Sequence, residues 1–274
     1  MELLCPLCGK PLDAGEKSLV CGSGHRFDIA RQGYVHLLPV QRKHSLHPGD
    51  TREQVAARRA FLDGGFYAPI AEAVCQAAKD CTGPVIDVGC GEGYYGAKVA
   101  EHLHGELLGV DISKEAVRFA AARYKSARWV CGTAASLPVP DHSAGLLLSM
   151  FAVTLPEEFR RVLRPDGRFL QVLAAEDHLL GLKEIIYPQL THKEKNTVPA
   201  LPGFILERSI PLRFPISLEG QQVQNLLYMT PHVYRIGAEG ARRLRETDRL
   251  RDTASVVINL YRPDSSLLSP EKLV

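Results

Sequence analysis

Short apolar runs and helical stripes alternate along the chain from Val85 onward. Val85, Ile86 and Val88 form a run with the length of a buried strand. Comparable runs follow at residues 107–110, 128–131, 146–151 and 169–172. Strands that alternate with helices are typical of a parallel sheet with crossover helices. The pattern therefore predicts an α/β fold with a doubly wound sheet.

Helices are predicted ahead of this sheet and an antiparallel pair of strands after it. Thr51 and Gln54 match a capping box, so a helix is expected to begin there and to end at the glycine pair 64–65. A second helix with one apolar face follows. Two apolar or alternating stretches near the C-terminus predict the closing antiparallel pair, at residues 204–214 and 254–261.

A glycine-rich turn follows the first strand of the sheet, with Gly89, Gly91 and Gly93 at every second position. Because glycine has no side chain, such a turn lets the main chain pass close to a bound ligand. A helix can begin near Tyr94, and its first amide groups would then face the same ligand. Asp87 stands near the end of the strand as an acidic neighbour.

Two cofactor types fit this turn. Residues 91–96 match the G-x-G-x-x-G spacing of a dinucleotide fingerprint, and Asp111 lies about 20 residues further on. That interpretation needs the strand to continue through residues 89–90, although glycine weakens strand interiors. The alternative starts the turn at Gly89 and uses Asp87 as the strand-end acid. It resembles the first motif of doubly wound S-adenosylmethionine-dependent methyltransferases, and we favour it because it uses every residue of the stretch.

Asp111 is predicted to lie at the carboxyl end of the second strand, where an acid can accept hydrogen bonds from both hydroxyls of a ribose. Its alternative role is to cap a helix that begins near Lys114. Methyltransferases of this type often carry an acid for the adenine amino group after the third strand. Residues 132–134 are Gly-Thr-Ala instead, and Asp141 lies too far on. We therefore expect backbone amides near residues 134–137 to contact the adenine.

The composition is that of a soluble globular protein, with 45% hydrophobic and 23% charged residues. At 274 residues the chain can form one sizeable core and a small appendage. The longest uncharged run, residues 143–156, is shorter than the ~20 residues of a membrane span. The sequence shows no signal peptide. Seven cysteines, three of them near the start, suit a metal site in a reducing cytoplasm.

Cys5, Cys8, Cys21 and His25 have the spacing C-x2-C-x12-C-x3-H, which can close a tetrahedron of ligands around zinc. A module of about 36 residues is too small for an adequate core, and structural zinc contributes apparent free energies of ~10–16 kcal/mol to such modules. Four protein ligands leave no open position for a catalytic water, so the zinc is predicted to be structural. The alternative is a chance cysteine pair with a surface histidine.

Basic residues concentrate in the first part of the chain, although the net charge is only +2. Residues 1–62 contain nine Lys or Arg against six Asp or Glu. Such a cluster can bind phosphate oxygens, although charged runs are usually solvated surface. We expect RNA contact from the basic residues in or just after the zinc module, namely Arg26, Arg31, Arg42, Lys43, His44 and His47.

Several segments together resemble the RlmA-type large-subunit ribosomal RNA guanine-N1 methyltransferases. They are CPLC with C-x3-H, RQGYVHLLPVQRKH, GDTREQVAARRAFLDGGFY, VIDVGCGEGYY, DHLLGLKEIIY and MTPHVYR. The resemblance implies methylation of a guanine N1 in a 23S rRNA hairpin, or its precursor, near the peptide exit tunnel. It implies a class I fold with a seven-stranded mixed sheet, an N-terminal zinc domain, no membrane partner and an ability to form homodimers with a cleft for RNA.

The resemblance also implies individual roles. Cys5, Cys8, Cys21 and His25 match the family's zinc ligands. The resemblance, the glycine-rich turn and the acids at the strand ends together predict eight residues that bind S-adenosylmethionine. They are Tyr67, Asp87, Gly89, Gly91, Glu92, Gly93, Asp111 and His178. We divide the chain into a zinc-binding domain at residues 1–36, a connector and helical arm at 37–66, a methyltransferase domain at 67–262 and a tail at 263–274.

The expected chemistry depends mainly on alignment of the guanine N1 with the methyl group, which can supply ~7–11 kcal/mol of the barrier. A general base would help, and Glu176, Asp177 and His178 are candidates because they follow the fifth strand. The Asn-Pro-Pro-aromatic segment of many amino-group methyltransferases is absent, in agreement with a ring nitrogen as target. Aromatic side chains that could stack on a flipped guanine are Phe151, Tyr94 and Tyr187.

Two other functions remain compatible with the sequence. One is a small-molecule methyltransferase in which the zinc module serves only as a lid. The other is a zinc-containing RNA-binding protein that retains the cofactor without turnover, against which the intact Asp87, Gly91 and Asp111 speak. Within the family, the GEGYY and MTP segments resemble the Gram-negative subgroup, which bears on which of two neighbouring guanines is modified.

Overall fold

The computed structural model describes residues 1–39, 48–190 and 194–267 of the chain. Its first part contains a three-stranded antiparallel sheet formed by β1 (Leu12–Ala14), β2 (Ser18–Cys21) and β3 (Arg26–Asp28), with β2 in the middle. Gly9 and Gly24 flank this sheet's first two strands with φ angles of 72° and 83°. Glycine adopts this region without a steric penalty, so the chain reverses tightly at both positions.

A mixed sheet of eight strands forms the centre of the molecule. In chain order its strands are β4 (Tyr34–His36), β5 (Val85–Val88), β6 (Leu107–Asp111), β7 (Arg128–Cys131), β8 (Ala144–Met150), β9 (Leu163–Ala174), β10 (Phe204–Glu219) and β11 (Arg249–Pro263). Their order across the sheet is β10-β11-β9-β8-β5-β6-β7-β4. The strands from β4 to β9 pair in parallel, and β11 pairs antiparallel with β9 and β10. The predicted doubly wound α/β fold is confirmed.

Eight helices pack around the sheet in the described ranges. They are α1 (Arg52–Asp63), α2 (Ala68–Ala78), α3 (Tyr94–Leu103), α4 (Lys114–Arg123), α5 (Pro156–Val162), α6 (Leu180–Ile186), α7 (Gln221–Tyr228) and α8 (Ala238–Glu246). The predicted capping box of α1 is present: the Gln54 amide donates to Thr51 Oγ1 at 3.3 Å, and the Thr51 amide donates to Gln54 Oε1 at 2.9 Å. Local sequence therefore sets the start of α1.

The sheet has one strand more than the seven expected for the fold class. The additional strand is β4, where Tyr34 pairs with Trp129 of β7, and the amide of Leu37 donates to the Cys131 carbonyl at 2.8 Å. A segment of three residues carries no periodic signal of its own, and its partner strand lies far along the chain. The zinc-binding domain that we place at residues 1–36 thus ends in a strand of the main sheet.

Phe151 lies outside β8, whereas the apolar run predicts it as the last residue of that strand. Its φ of 55° is in the left-handed region, which is uncommon for a residue with a side chain, so the extended strand ends at Met150. All seven residues of β8 are buried, as predicted for a central strand. An outlier of this kind at the end of a central strand marks a position that the surrounding structure holds in place.

Apolar side chains fill both faces of the sheet. One cluster joins Val85 and Leu148 to the apolar sides of α1, α2, α3, α6 and α7. The other joins Ile86 and Val88 to α5 and to apolar residues of the N-terminal module. Among the helices of the described residues, none combines the length and the apolar content that crossing a membrane requires. Residues 40–47 of the predicted connector and arm, and residues 268–274 of the predicted tail, lie outside the described residues.

Candidate metal centre and cofactor cavity

The four predicted zinc ligands meet in the N-terminal module. Their ligand atoms all lie within 4.8 Å of one another. The Nδ1 atom of His25 is 3.5 Å from Cys5 Sγ and 3.4 Å from Cys21 Sγ, and Cys8 Sγ is 3.6 Å from Cys21 Sγ. Zinc bonds of about 2.3 Å to sulfur and about 2.0 Å to nitrogen give tetrahedral edges of about 3.5–3.8 Å. The cluster therefore fits a closed, structural zinc site.

Backbone turns hold the ligands in place before any metal contributes. The Gly9 amide donates to the Cys5 carbonyl, and the Gly24 amide donates to the Cys21 carbonyl, each at 2.8 Å. Cys5 and Cys21 are buried, while Cys8 is exposed. All seven cysteines of the chain are free thiols. This usage agrees with the prediction of metal ligands instead of a disulfide framework.

The zinc module is attached to the segment that follows β7. The Leu4 amide donates to the Pro138 carbonyl at 2.8 Å. Leu3 and Cys5 share an apolar cluster with Leu137 and Val139. Residues 132–135, which begin the same segment, line the large cavity at the edge of the sheet. The module therefore supports one wall of that cavity.

A cavity of about 1550 Å³ lies at the carboxyl edge of the parallel strands. Cavities for small ligands usually measure about 300–1,000 Å³, so this one has room for two ligands. Seven of the eight predicted cofactor-binding residues line it, namely Tyr67, Asp87, Gly89, Gly91, Glu92, Asp111 and His178. Gly93 lies beneath the loop, where a Cβ atom would stand 2.4 Å from the Trp129 ring. Its role is close packing under the loop.

The glycine loop adopts the conformation that its spacing predicts. Gly89, Gly91 and Gly93 have φ angles of 69°, 55° and 85°. β5 ends at Val88, directly before the loop. The dinucleotide interpretation requires the strand to run through residues 89–90, so the strand boundary favours the methyltransferase motif. A Cβ on Gly91 would have no atom nearer than 3.8 Å, which leaves its backbone open to a ligand.

Asp111 connects the glycine loop to the next helix. Its Oδ2 accepts from the Gly91 amide at 2.8 Å, and its Oδ1 accepts from the Ser113 amide at 2.7 Å. The cap of α4 is Ser113, whose Oγ accepts from the Ala116 amide at 3.2 Å. The capping role, which was the alternative prediction for Asp111, thus belongs to Ser113. Each carboxylate oxygen has a second lone pair, so both can still accept from the hydroxyls of a ribose.

Two buried carboxyl groups in the cavity wall lack a partner on one oxygen. Asp87 is 1% exposed and Glu92 is 2% exposed, and Asp87 Oδ1 and Glu92 Oε1 have no hydrogen-bond partner in the described structure. Burial raises the pKa of each to about 7. Buried polar groups without partners are costly, and donors from a bound ligand would satisfy them. An aminoacyl nucleoside with hydroxyl and ammonium donors therefore fits this wall.

The predicted adenine segment offers fewer free amides than expected. The Ala135 amide donates to Thr133 Oγ1 at 3.2 Å, and the Leu137 amide donates to Glu158 Oε1 at 2.6 Å. The Ser136 amide donates to the Thr133 carbonyl at 3.4 Å. Glu158 comes from α5, a long-range partner that local sequence patterns do not identify. Of residues 134–137, Ala134 is left as the candidate for adenine contact, and it lines the cavity.

Tyr67, His178 and Phe151 form an aromatic group on the opposite wall. The hydroxyl of Tyr67 is 3.1 Å from His178 Nε2, and the Phe151 and His178 rings stack with centroids 6.1 Å apart. The Ser255 amide donates to His178 Nδ1 at 3.1 Å, so the neutral ring carries its proton on Nε2 and donates to Tyr67. Burial lowers the pKa of His178 to about 4. The histidine donates to the tyrosine oxygen, which leaves the hydroxyl proton of Tyr67 available to another acceptor.

The three predicted base candidates differ in availability. His178 is occupied at both ring nitrogens. Asp177 accepts from Arg213 Nε at 2.9 Å, and hydrogen bonds from Ser255 and Arg213 lower its pKa. Glu176 is exposed at the cavity rim. Asp177 and His178 thus already have partners, and a role in positioning suits His178 better.

Several cavity residues besides the predicted stacking residue Tyr187 received no role from the sequence. Arg58 of α1 pairs with Asp50 and donates to the Met229 carbonyl at 3.1 Å. Tyr187 and His232 approach within 2.7 Å between Oη and Nδ1. Further cations line the same part of the cavity, namely Lys183, Lys195 and Arg235. These positions are dispersed along the chain, so no local spacing identifies them. Only the segments that resemble the family point to some of them.

Two protein-family models match the chain. The model described as "RlmA, N-terminal" matches residues 3–46, and the model described as "Methyltransferase domain" matches residues 85–167. The first range contains the four clustered zinc ligands, and the second runs from β5 into β9. Both matches agree with the division of the structure into a metal module and a cofactor-binding sheet.

Curated relatives extend over most of the sequence. A Streptomyces fradiae protein named 23S rRNA (guanine(748)-N(1))-methyltransferase is 36% identical over 273 residues, 95% of this chain and 96% of that protein. A Micromonospora griseorubida protein, provisionally named 23S rRNA (guanine-N(1)-)-methyltransferase, is 39% identical over 66% of this chain and 68% of its own. A solved structure described as "Conversion of a Disulfide Bond into a Thioacetal Group during Echinomycin Biosynthesis" has a TM-score of 0.50 and 18% sequence identity to this chain. The match covers 75% of this chain and 85% of that one, and it shows similarity in fold alone.

Replacing one zinc ligand should release the metal and destabilise the module. Cys21→Ser is expected to reduce bound zinc from one equivalent to near zero and to lower the melting temperature, because structural zinc contributes most of the folding free energy of such modules. The matched control is Cys75→Ser, a half-buried cysteine of α2 outside the cluster. Elemental analysis and thermal melts provide both readouts. Full zinc content in Cys21→Ser would contradict the ligand assignment.

His178 should make stability depend on pH in one window. Its pKa is lowered to about 4 in the folded protein, against about 6.5 when unfolded, so the unfolded state binds the proton first. The contribution of neutral His178 to the free energy of unfolding is complete above pH ~6.5 and is lost as pH falls toward 4. His178→Gln should flatten the fall in unfolding free energy across that window, measured by urea melts. His102→Gln, exposed on α3, is the control; equal slopes in wild type and His178→Gln would refute the assignment.

Proposed function

The chain belongs to the RlmA-type family of 23S ribosomal RNA (guanine-N1)-methyltransferases, and from this premise we propose that it methylates guanine 748 in a hairpin of that RNA. The observation that carries the proposal is the 36% identity over 95% of the chain to a protein named for that activity. The enzyme uses S-adenosylmethionine as its methyl donor and carries a structural zinc ion.

The choice of guanine rests on the full-length relative. The GEGYY and MTP segments resemble the Gram-negative subgroup, which would favour the neighbouring guanine. The relative that aligns over 96% of its own length is named for guanine 748 instead. Because similarity across the whole chain includes the RNA-contacting parts, we give it more weight than two short segments.

The cofactor half of the cavity is formed by the glycine loop and the strand ends. S-adenosylmethionine, when bound, supplies an electrophilic methyl group on a sulfonium centre. In our proposal Asp111 accepts from the ribose hydroxyls, while the open backbone at Gly91 allows close approach. The unpartnered oxygens of Asp87 and Glu92 accept further donors from the cofactor. Tyr67, oriented by His178, directs its hydroxyl toward the same ligand.

The other half of the cavity receives the target base. Phe151 is 40% exposed although it packs beside His178 and Tyr67, so its ring can offer a face to a flipped guanine. Base–aromatic stacking contributes ~1–3 kcal/mol and offsets the few kcal/mol of unstacking. Tyr187 and Tyr94 line the cavity as well, but Tyr94 is only 6% exposed. Of the three predicted stacking residues, we therefore favour Phe151.

RNA contacts outside the cavity are proposed for the zinc module. Arg26 and Arg31 are exposed on it and are free to approach phosphate oxygens. Arg42, Lys43, His44 and His47, the other predicted contacts, lie outside the described residues. The location of the hairpin near the peptide exit tunnel, a homodimer with an RNA cleft and a cytoplasmic location stay predictions, and light scattering would test the homodimer.

No specific observation favours the two alternative functions. A small-molecule methyltransferase would not need a cavity of about 1550 Å³ or exposed arginines on its zinc module. The contact between Asp111 and the glycine loop fits an enzyme and a cofactor-retaining binding protein alike, so turnover decides between them. Both alternatives remain as outcomes of the following experiment.

The site of methylation can be read directly on RNA. Zinc-loaded protein, S-adenosylmethionine and a 23S rRNA hairpin should give a primer-extension stop at guanine 748, because an N1 methyl group blocks Watson–Crick pairing. A hairpin with adenine at that position is the control and should give no stop. Mass spectrometry of the digested RNA should identify 1-methylguanine. A stop at the neighbouring guanine would contradict the proposed target, and no methylation of either would contradict the proposed function.

A further inference from the structure

Two lysine side chains meet at the turn that follows β9. Lys183 Nζ of α6 donates to the Glu176 carbonyl at 3.2 Å, and Lys195 Nζ donates to the Ala175 carbonyl at 3.3 Å. These carbonyls belong to consecutive residues, so both ammonium groups lie at the same turn, and the charge of Lys195 acts on Lys183. Both lysines line the cavity. Each ammonium has three donors, and these contacts use one each.

We propose that Lys183 and Lys195 bind the O6 atom of the target guanine and stabilise its N1-deprotonated form, which is the methyl acceptor. This inference rests on the proposed function, because it concerns the same base in the same cavity. It makes the two lysines catalytic residues that act on the substrate by charge.

The chemistry of guanine explains why cations at this position accelerate the reaction. While N1 carries its proton, its lone pair is delocalised into the ring carbonyl, so it is a poor nucleophile. Loss of the proton leaves a negative charge shared between N1 and O6. An opposite charge within about 4–6 Å lowers the pKa of a group by about 1–3 units. Ammonium groups on O6 would therefore increase the fraction of guanine that can accept a methyl group at neutral pH.

The step balances without a further reactant. The N1–H bond breaks and its proton passes to water, leaving the electron pair on N1. That pair forms the N1–CH3 bond while the S–CH3 bond breaks and its electrons return to sulfur. The sulfonium thus becomes a neutral thioether, and the guanine becomes neutral 1-methylguanine. The two ammonium groups keep their protons throughout.

The surroundings leave the ammonium charges only partly compensated. The charges of Asp252, Asp177 and Glu176 act on Lys183, both lysines act on His178 and His232, and Arg235 adds positive charge near His232. Asp252 also accepts from the Gly181 and Leu182 amides at 3.1 and 2.8 Å, and Asp177 pairs with Arg213, so these two acids are shared with other donors. Burial is the main cause that lowers the pKa of Lys183, and the positive charge of Lys195 lowers it further.

Both histidines near the cavity are affected by the same cations. Burial lowers the pKa of His178 and of His232 to about 4, and the charges of Lys183 and Lys195 add to the effect in each case. The two histidines lie on different segments, so the charges of Lys183 and Lys195 act at more than one place around the cavity. Positive charge favours a guanine anion in the same space.

The test compares neutral and charge-retaining variants of the full, zinc-loaded enzyme under single-turnover conditions. Lys183→Gln and Lys195→Gln should each lower the methylation rate at pH 7 about 10–100-fold on the hairpin RNA. The apparent pKa of the rate profile between pH 6 and 9.5 should move upward by about 1 or more, because the N1 proton is held more tightly. Lys183→Arg should recover most of the rate. Lys79→Gln, exposed at the end of α2, is the matched control.

Other outcomes separate this inference from the proposed function. If the lysines only anchor RNA phosphates, the neutral variants should raise KM and reduce the salt dependence of binding while the pH profile stays in place, and that result would overturn the inference. Since Lys183 is half-buried, the exposed Lys195 provides a variant whose folding is easier to preserve. A wild-type enzyme that methylates no guanine would overturn the proposed function instead.

Discussion

The carboxylate of Asp111 is the contact on which the arrangement of the site depends. It accepts from the amide of Gly91 in the glycine loop and from the amide of Ser113 at the start of α4. Ser113 Oγ in turn donates to the Asp50 carbonyl at 2.7 Å, and Asp50 pairs with Arg58 of α1. One acid at a strand end thus connects the cofactor loop to the arm that precedes the sheet. Charge-assisted bonds of this kind are among the stronger ones in proteins.

The zinc module contributes to the same site from the other side. Its Leu4 amide bonds to the Pro138 carbonyl, and its last strand, β4, extends the main sheet beside β7. The segment between these contacts supplies residues 132–135 to the cavity wall. A metal that stabilises the module therefore also supports residues 132–135 of the cavity wall, while Arg26 and Arg31 are exposed to solvent. Loss of the metal is expected to weaken cofactor binding through this contact.

Local sequence was sufficient wherever the governing contacts are local. The four zinc ligands, the glycine loop and the capping box at Thr51 depend on short spacings, and all three were predicted from them. Contacts between distant positions were not predictable. The left-handed backbone of Phe151 interrupts an apolar run that reads as strand, and the meeting of Lys183 with Lys195 depends on how the turn after β9 is placed. Hydrophobic periodicity carries no information about either.

The central claim is that this sheet edge, organised by Asp111, holds S-adenosylmethionine. Titration calorimetry of the zinc-loaded protein tests it most directly, with the cofactor and with its demethylated product as ligands. We predict one equivalent bound by the wild type and at least about tenfold weaker binding by Asp111→Asn, since an amide in place of the carboxylate loses the charge-assisted bonds. Absence of heat with both ligands, or preferential binding of a nicotinamide dinucleotide, would contradict the account.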